Sequence, residues 1–327
     1  MRNLSFQIGR LPLWLVRLLD SGRYGLRFLR PVNRYPLADR AGSLSCQPLF
    51  IVSSGRAGTT LLRSMLVAGG QIAIPPEAQV IPIAIRRYLS AQHLGWYDLC
   101  RLVVALFESS HNFPLWEANL HPVYERLFNL PPAERSLARA IDEIFRCYAA
   151  QKFPQAVQWG DKSPLNTFYW RWIHRTFPQA RFVHLLRDGR DAIASMVARG
   201  RRVEEATRRW KLSVEQAVAL QNRLDASQFL EIRYENLVSE PTVALERVCA
   251  FIGVEYKEEM LDFWKSPTTV EHRHYEHHRN LGKPLFTDSI GKWSQRLSPA
   301  QQQYILSQTS ALLQHLGYLN AEKIGAS

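Results

Sequence analysis

Cysteine, acidic side chains and long apolar runs are all scarce in this chain. The four cysteines among 327 residues, Cys46, Cys100, Cys147 and Cys249, are widely spaced among apolar neighbours. None has the spacing of a metal site or a redox motif, so they read as reduced core thiols, in keeping with a cytoplasmic setting. The apolar stretch Leu11-Pro-Leu-Trp-Leu-Val-Arg-Leu-Leu19 is too short, and too interrupted by Arg17, for a transmembrane helix. It lacks a clear small-residue cleavage site, so it is not read as a signal peptide. Repeats and low-complexity tracts are absent. Asp and Glu number 29 against 41 Lys and Arg, a net charge of +12. Such a balance often marks contact with nucleic acid or an anionic membrane.

With 46% hydrophobic residues the chain can form one large core or two small ones. Strands and helices alternate from Pro48 onward, which predicts an α/β fold with a mainly parallel sheet covered by helices. Strand signal fades between Val80 and Ala150, where 94–107, 115–128 and 134–150 read as helices. This is a helical insertion between the first strand–helix unit and the next strand. Further helices are expected over 203–224 and 299–316. Residues 1–45 read as a basic and apolar arm, and 46–320 as the main domain. Arg23, Arg27, Arg30 and Arg34 recur near helical spacing, although Pro31 breaks the stripe. An arm packed on the domain is favoured over a peripheral membrane contact.

The segment Pro48-Leu-Phe-Ile-Val-Ser-Ser-Gly-Arg-Ala-Gly-Thr-Thr-Leu-Leu62 is the most informative. Leu49 to Val52 reads as a buried parallel strand. A loop with Gly55 and Gly58 follows, and Thr59 opens an apolar-periodic helix. The free N–H groups of a first helical turn, and the helix dipole, favour an anion at that end. Gly58 allows close backbone approach, and the hydroxyls of Thr59 and Thr60 add donors. An ordinary nucleoside-triphosphate loop has Lys directly after its last Gly. Here Thr59 takes that place, and the cation, Arg56, stands two residues before Gly58. Arg56-Ala57-Gly58-Thr59-Thr60 resembles the 5′-phosphosulfate loop of the sulfotransferases, (R/K)-S-G-T-T, with Ala57 for Ser. The plain alternative is a glycine turn before a core helix.

A second strand–turn–helix, Ala180-Arg-Phe-Val-His-Leu-Leu-Arg-Asp-Gly-Arg-Asp-Ala-Ile-Ala-Ser195, strengthens the resemblance. Asp188 is a candidate N-cap, with Asp191 placed as in a capping box. Arg187 falls at the carboxyl end of the strand, where open α/β sheets bind ligands. Arg187 and Ser195 resemble the family's binding pair for the 3′-phosphate of the donor, 3′-phosphoadenosine 5′-phosphosulfate. The guanidinium fork suits a phosphate. Gly160-Asp-Lys-Ser-Pro164 resembles the family element whose Lys lies near the transferring group. Tyr234-Glu-Asn-Leu-Val-Ser-Glu-Pro241 resembles the one whose Tyr lies near the nucleotide. Ile290-Gly-Lys-Trp293 resembles the late loop that closes over the donor, which brings in Gly291 and Lys292. The resemblance runs from about residue 48 to 317.

It implies a P-loop fold and sulfuryl transfer from that donor to a hydroxyl, with adenosine 3′,5′-bisphosphate leaving. Arg56 and Lys162 are the residues expected to stabilise charge on the leaving oxygen. No metal is called for. Pro164 occupies the place where cytosolic members carry a His base. Glu77, 21 residues after Arg56, is the candidate base, as in tyrosylprotein and some carbohydrate sulfotransferases. The plain alternative is that it caps the helix beginning near Val80. The acceptor stays open among peptide tyrosine, carbohydrate, lipid and small alcohol, with a tilt toward peptide or carbohydrate; nucleic acid is not expected.

Arg199, Arg201, Arg202, Arg208 and Arg209 read as a solvated face rather than a site for an acidic acceptor. Glu271 to Arg279, with His272, His274, His277 and His278, reads as a loop beside the acceptor cleft rather than a metal site. Two other classes share parts of this pattern. A magnesium-dependent phosphotransferase is disfavoured by Thr59 and the displaced Arg56. A non-catalytic basic binding protein is disfavoured because only Ala57 departs from the donor motifs.

Overall fold

A computed structural model of the chain describes residues 35–266, 284–286 and 288–319, with isolated positions at 12, 14, 15, 18, 21, 22, 25 and 282. The expectations for the N-terminal arginines and for the His-rich stretch 271–279 lie outside the described residues. Among the described residues no helix is long and apolar enough to cross a membrane.

The chain first forms β1 (Leu49–Val52), α1 (Thr59–Ala68) and β2 (Ile72–Ala73), then the helices α2 (Ile81–Ser90), α3 (Trp96–Glu108), α4 (His121–Phe128) and α5 (Leu137–Lys152). It returns to β3 (Gln158–Asp161), α6 (Asn166–Thr176), β4 (Arg181–Leu186), α7 (Gly189–Val197) and α8 (Val203–Gln221). β5 (Phe229–Arg233), α9 (Tyr234–Ser239) and α10 (Pro241–Ile252) follow, and after a short helical turn at Trp293–Arg296 comes α11 (Pro299–His315). The five strands form one sheet in the order β2-β3-β1-β4-β5, and every pairing is parallel.

That order decides where the site falls. β1 lies between β3 and β4, so the chain leaves it in one direction for β2 and β3 and crosses back for β4. Open sheets bind ligands at such a switch point, beyond the carboxyl ends of the strands. Here β1 runs into the glycine loop, β2 into Ile74 to Glu77, β3 into Lys162, β4 into Arg187 and β5 into Tyr234. Each of the five strands thus delivers one candidate site residue at the same edge.

The middle of the sheet is apolar and packed by aromatic rings. Phe50 on β1 packs on Phe182 of β4 at 5.5 Å and on Trp159 of β3 at 6.1 Å. Trp159 stacks on Phe145 of α5 at 4.3 Å, and its Nε1 donates to Asp142 Oδ1 at 2.8 Å, which satisfies both buried polar groups. Gly160 is required in β3, since a Cβ there would stand 2.9 Å from the Leu49 carbonyl oxygen.

The insertion α2–α5 agrees with the sequence expectation in kind, with one difference. The expected helix over 115–128 is interrupted: Phe113–Trp116 is a 3₁₀ turn and α4 starts only at His121. Pro122 at the first turn of α4 suits a helix start and not a helix interior.

Candidate active site

The glycine loop is built as an anion cradle. Gly58 is the N-cap of α1 with φ 90°, a left-handed conformation that favours glycine. A Cβ on Gly58 would collide with the ring of Tyr234, so the loop can lie against that ring only without a side chain. Ala57 faces the other way. Its side chain is wholly buried in the core and does not line the cleft, which leaves its backbone as the part that belongs to the loop: an apolar core position accepts Ala and has no use for a hydroxyl.

A cleft of about 1270 Å³ opens at the strand ends. Arg56, Gly58, Thr59, Thr60, Glu77, Lys162, Arg187, Ser195 and Tyr234 all line it. Arg187 is 6% exposed. It donates to the Arg56 carbonyl at 3.0 Å and the Ser289 carbonyl at 2.7 Å, and its guanidinium lies 4.4 Å from the Tyr234 ring centroid. Its Nε has no partner among the described residues. Ser195 Oγ accepts from Arg56 Nε at 3.3 Å. The loop tip and the Arg187 pocket are therefore one continuous polar surface. Burial lowers the Arg56 pKa to about 10, with Arg199 and Arg187 adding to the effect and Glu77 opposing it. Crowding of guanidinium groups is unfavourable in isolation and favourable around a polyanion.

Lys162 is 3% exposed and forms an ion pair with Glu77 Oε1. It also donates to Thr60 Oγ1 at 3.3 Å, and so joins the anion loop to the carboxylate. Burial pulls its pKa down, while Glu77 holds it up. The segment carrying Glu77 is held from several sides. Arg63 on α1, fully inside, donates through Nε to the carbonyls of Ile74 (2.7 Å) and Pro75 (3.2 Å). Trp116 Nε1 donates to the Pro76 carbonyl at 2.9 Å, and Asn112 Nδ2 to the Glu77 carbonyl at 2.8 Å. Glu77 is not a helix cap: α2 begins at Ile81 after Val80, with no side-chain cap.

Asp188 caps α7 by accepting from Arg190 N at 2.9 Å, as expected. Asp191 does not complete a capping box. Its carboxylate instead accepts from Gly291 N at 2.7 Å and Trp293 N at 2.9 Å, and so latches the late loop to α7. Gly291 and Lys292 do not line the cleft. Ser289 is the loop residue that reaches it: besides its carbonyl on Arg187, its hydroxyl meets Tyr234 Oη at 2.7 Å. The basic cluster of 199–209 is divided. Arg199 and Arg201, both exposed, and the half-buried Arg209 line the cleft, while Arg202 and Arg208 are exposed outside it. Arg63 and Ser289 were not singled out from sequence. A cation inside the apolar stripe of α1 was the available signal for Arg63; Ser289 offered none beyond its neighbours.

An anion cradle, a second guanidinium pocket and a lysine–glutamate pair at one sheet edge define a transferase acting on a phosphorylated nucleotide. The profile described as "Sulfotransferase family" matches residues 48–258. The chain is 21% identical to Protein-tyrosine sulfotransferase 2 of Gallus gallus over 282 residues, 83% of this chain and 69% of that protein. It is 22% identical to Protein-tyrosine sulfotransferase of Drosophila melanogaster, again over 83% of this chain but only 51% of the relative. Among solved structures, the Sulfotransferase Domain from the Synechococcus PCC 7002 Olefin Synthase aligns with TM-score 0.57 and 23% identity, over 82% of this chain and 95% of that one. The Sulfotransferase Domain from the Curacin Biosynthetic Pathway aligns with TM-score 0.53 and 21% identity, over 81% and 98%.

The chain belongs to the sulfotransferase family. It is an enzyme that moves a sulfuryl group from 3′-phosphoadenosine 5′-phosphosulfate to an acceptor hydroxyl, and the phosphotransferase alternative is not favoured.

Proposed function

We propose that the donor spans the cleft from the α1 loop to the Arg187 pocket and that Glu77 activates the acceptor. The observation that carries this reading is the common strand edge, where neighbouring β3, β1 and β4 end in Lys162, the Arg56 loop and Arg187. Parallel strands are spaced by roughly 4.8 Å, so three adjacent strand ends span about the reach of one nucleotide. Gly58, Thr59 and Thr60 bind the 5′ end through backbone N–H groups and hydroxyls. Arg187 and Ser195 bind the 3′-phosphate, for which the unpartnered Arg187 Nε is a ready donor. Tyr234 supports the Arg187 guanidinium by its ring face.

In the transfer, the acceptor oxygen bonds to sulfur, the bond from sulfur to the 5′-phosphate oxygen breaks, and the hydroxyl proton leaves. Glu77 takes that proton. Lys162 and Arg56 offset the charge that develops on the departing oxygen. The contact of Lys162 with both Glu77 and Thr60 supports this division of labour, because proton acceptor and leaving-group stabiliser then adjoin the same transferring group. The names of the relatives point to a phenolic hydroxyl, such as a tyrosyl side chain, as the acceptor. A reducing, cytoplasmic setting belongs to the same proposal: the four cysteines are free, and Cys100, Cys147 and Cys249 are buried.

The test is nucleotide binding by Arg187→Ala. We expect its affinity for adenosine 3′,5′-bisphosphate to fall by about 10- to 100-fold, the scale of a lost charge-assisted hydrogen bond, with AMP affinity unchanged. Equal losses for both nucleotides would refute the 3′-phosphate assignment.

A further inference from the structure

Among the described residues, three that are not glycine hold the left-handed backbone that L side chains avoid: Arg56, Gln79 and Glu117. Strain of this kind persists only where the surroundings impose it, and it gathers at functional sites. Arg56 is the tip of the donor loop. Gln79, with φ 55°, stands two residues beyond Glu77, is exposed, and does not line the cleft.

The contacts that hold Gln79 lead back to the turn that carries Lys162. Ala78 and Val80, on either side of Gln79, are buried and fix the backbone at both ends. The Gln79 backbone N–H donates to Ser163 Oγ at 3.3 Å. A serine hydroxyl has one proton to give, and that of Ser163 goes to Asp161 Oδ1 at 3.0 Å. Its lone pairs are thereby left for Gln79. Asp161 is anchored in turn by Asn166 Nδ2, which donates to Oδ2 at 2.5 Å. Asp161, Ser163 and Asn166 are all buried, and none of the three lines the cleft. Lys162 and Pro164, on either side of Ser163, do.

The side chain of Gln79 turns toward Glu77. Its Nε2 donates to Glu77 Oε2 at 3.3 Å, while Lys162 holds Oε1. A carboxylate held at one oxygen can swing about that contact. Held at both, its plane is set. Each oxygen keeps a second lone pair, so the bracket leaves room for a proton. A reacting group fixed in this way needs less ordering at the moment of transfer.

We propose that Gln79 is a positioning residue for proton transfer: its side-chain amide and Lys162 together orient the Glu77 carboxylate, and the strained turn fastened by Ser163 aims that amide. The inference rests on the reading of Glu77 as the base.

The test is Gln79→Gly in the full chain. Glycine adopts φ 55° without a steric penalty, so the unfolding temperature should hold or rise. Release of adenosine 3′,5′-bisphosphate from the donor, with a tyrosyl peptide as acceptor and with water alone, should slow about tenfold, the scale of one lost hydrogen bond to a charged group. Acceptor KM and affinity for the bisphosphate should not change. Gln79→Asn, which also suits a left-handed backbone but is one methylene shorter, should behave alike and so separates loss of reach from loss of stiffness. In a Glu77→Gln background, Gln79→Gly should cost nothing more, because the group it acts through is gone. A crystal structure of Gln79→Gly should keep the left-handed turn and show Glu77 rotated from its present position or in more than one rotamer. Undiminished turnover in Gln79→Gly, the same loss in the Glu77→Gln background, or an unmoved Glu77 in the crystal would overturn the proposal. Full turnover in Glu77→Gln alone would instead refute the base reading.

Discussion

The donor side and the acceptor side of the cleft are made by different means. The donor side consists of strand ends and the turns that follow them: the Arg56 loop after β1, Arg187 after β4 and Tyr234 after β5. Its parts are local, and the parallel sheet brings them together. The acceptor side hangs on long-range support. Glu77 is held by Asn112, 35 residues away, and its neighbour Pro76 by Trp116, 40 residues away, both from the helical insertion. A site assembled from a sheet edge keeps its geometry while the insertion is free to vary, so one donor pocket can serve many acceptors.

If the two sides are separable, substitutions should divide the same way. The largest effect is expected from Glu77→Gln, which keeps the shape and removes the base. Turnover should fall by about 10²- to 10⁴-fold, with bisphosphate affinity unchanged in a binding titration. Full turnover in that variant would remove Glu77 as the base and break the comparison at its centre. Asp191→Asn tests the donor side without touching a lining residue. It weakens the latch on Gly291 and Trp293, and so the Ser289 contacts with Arg187 and Tyr234. Bisphosphate affinity should fall by about 3- to 10-fold with the acceptor KM unchanged, and the amides of Gly291 and Trp293 should exchange faster with solvent.

A pH profile sharpens the assignment of Lys162, which stands where the two sides meet. Lys162 must be protonated to offset leaving-group charge, and burial lowers its pKa. The fall of kcat at high pH should therefore be centred below the ordinary lysine value of about 10.4. Lys162→Arg, whose guanidinium holds its proton to higher pH than an ammonium, should move that fall upward. The smallest effect is expected from Trp116→Phe, which loses one hydrogen bond to the Pro76 carbonyl, worth about 1 kcal/mol. Turnover should drop severalfold through the Glu77 segment, and donor affinity should not change.

The same division explains what could be read in the sequence. The loop at Gly58, the Asp188 cap and the run from β4 into Arg187 are each contained in one stretch of chain, where apolar period and glycine placement speak directly. Asp191 showed the limit of local reading. Its position three residues after Asp188 fits a capping box, yet its carboxylate is taken by two amides a hundred residues on. Spacing alone also treated five arginines as one face. The end of α7, the turn after it and the start of α8 instead rotate Arg199, Arg201 and Arg209 into the cleft and leave Arg202 and Arg208 outside. Ala57 stands where the motif has Ser, and the burial of its side chain in the core, which spacing does not show, explains why Ala fits there. Arg63 was legible only as an anomaly in an apolar stripe, because its partners, the carbonyls of Ile74 and Pro75, become neighbours only when β2 joins the sheet.

The most direct measurement is a crystal structure of the chain with adenosine 3′,5′-bisphosphate bound. The account predicts the 5′-phosphate on the amides of Gly58 to Thr60 beside Lys162, and the 3′-phosphate on Arg187 and Ser195. A nucleotide bound elsewhere, or one whose two phosphates do not reach both places, would contradict it.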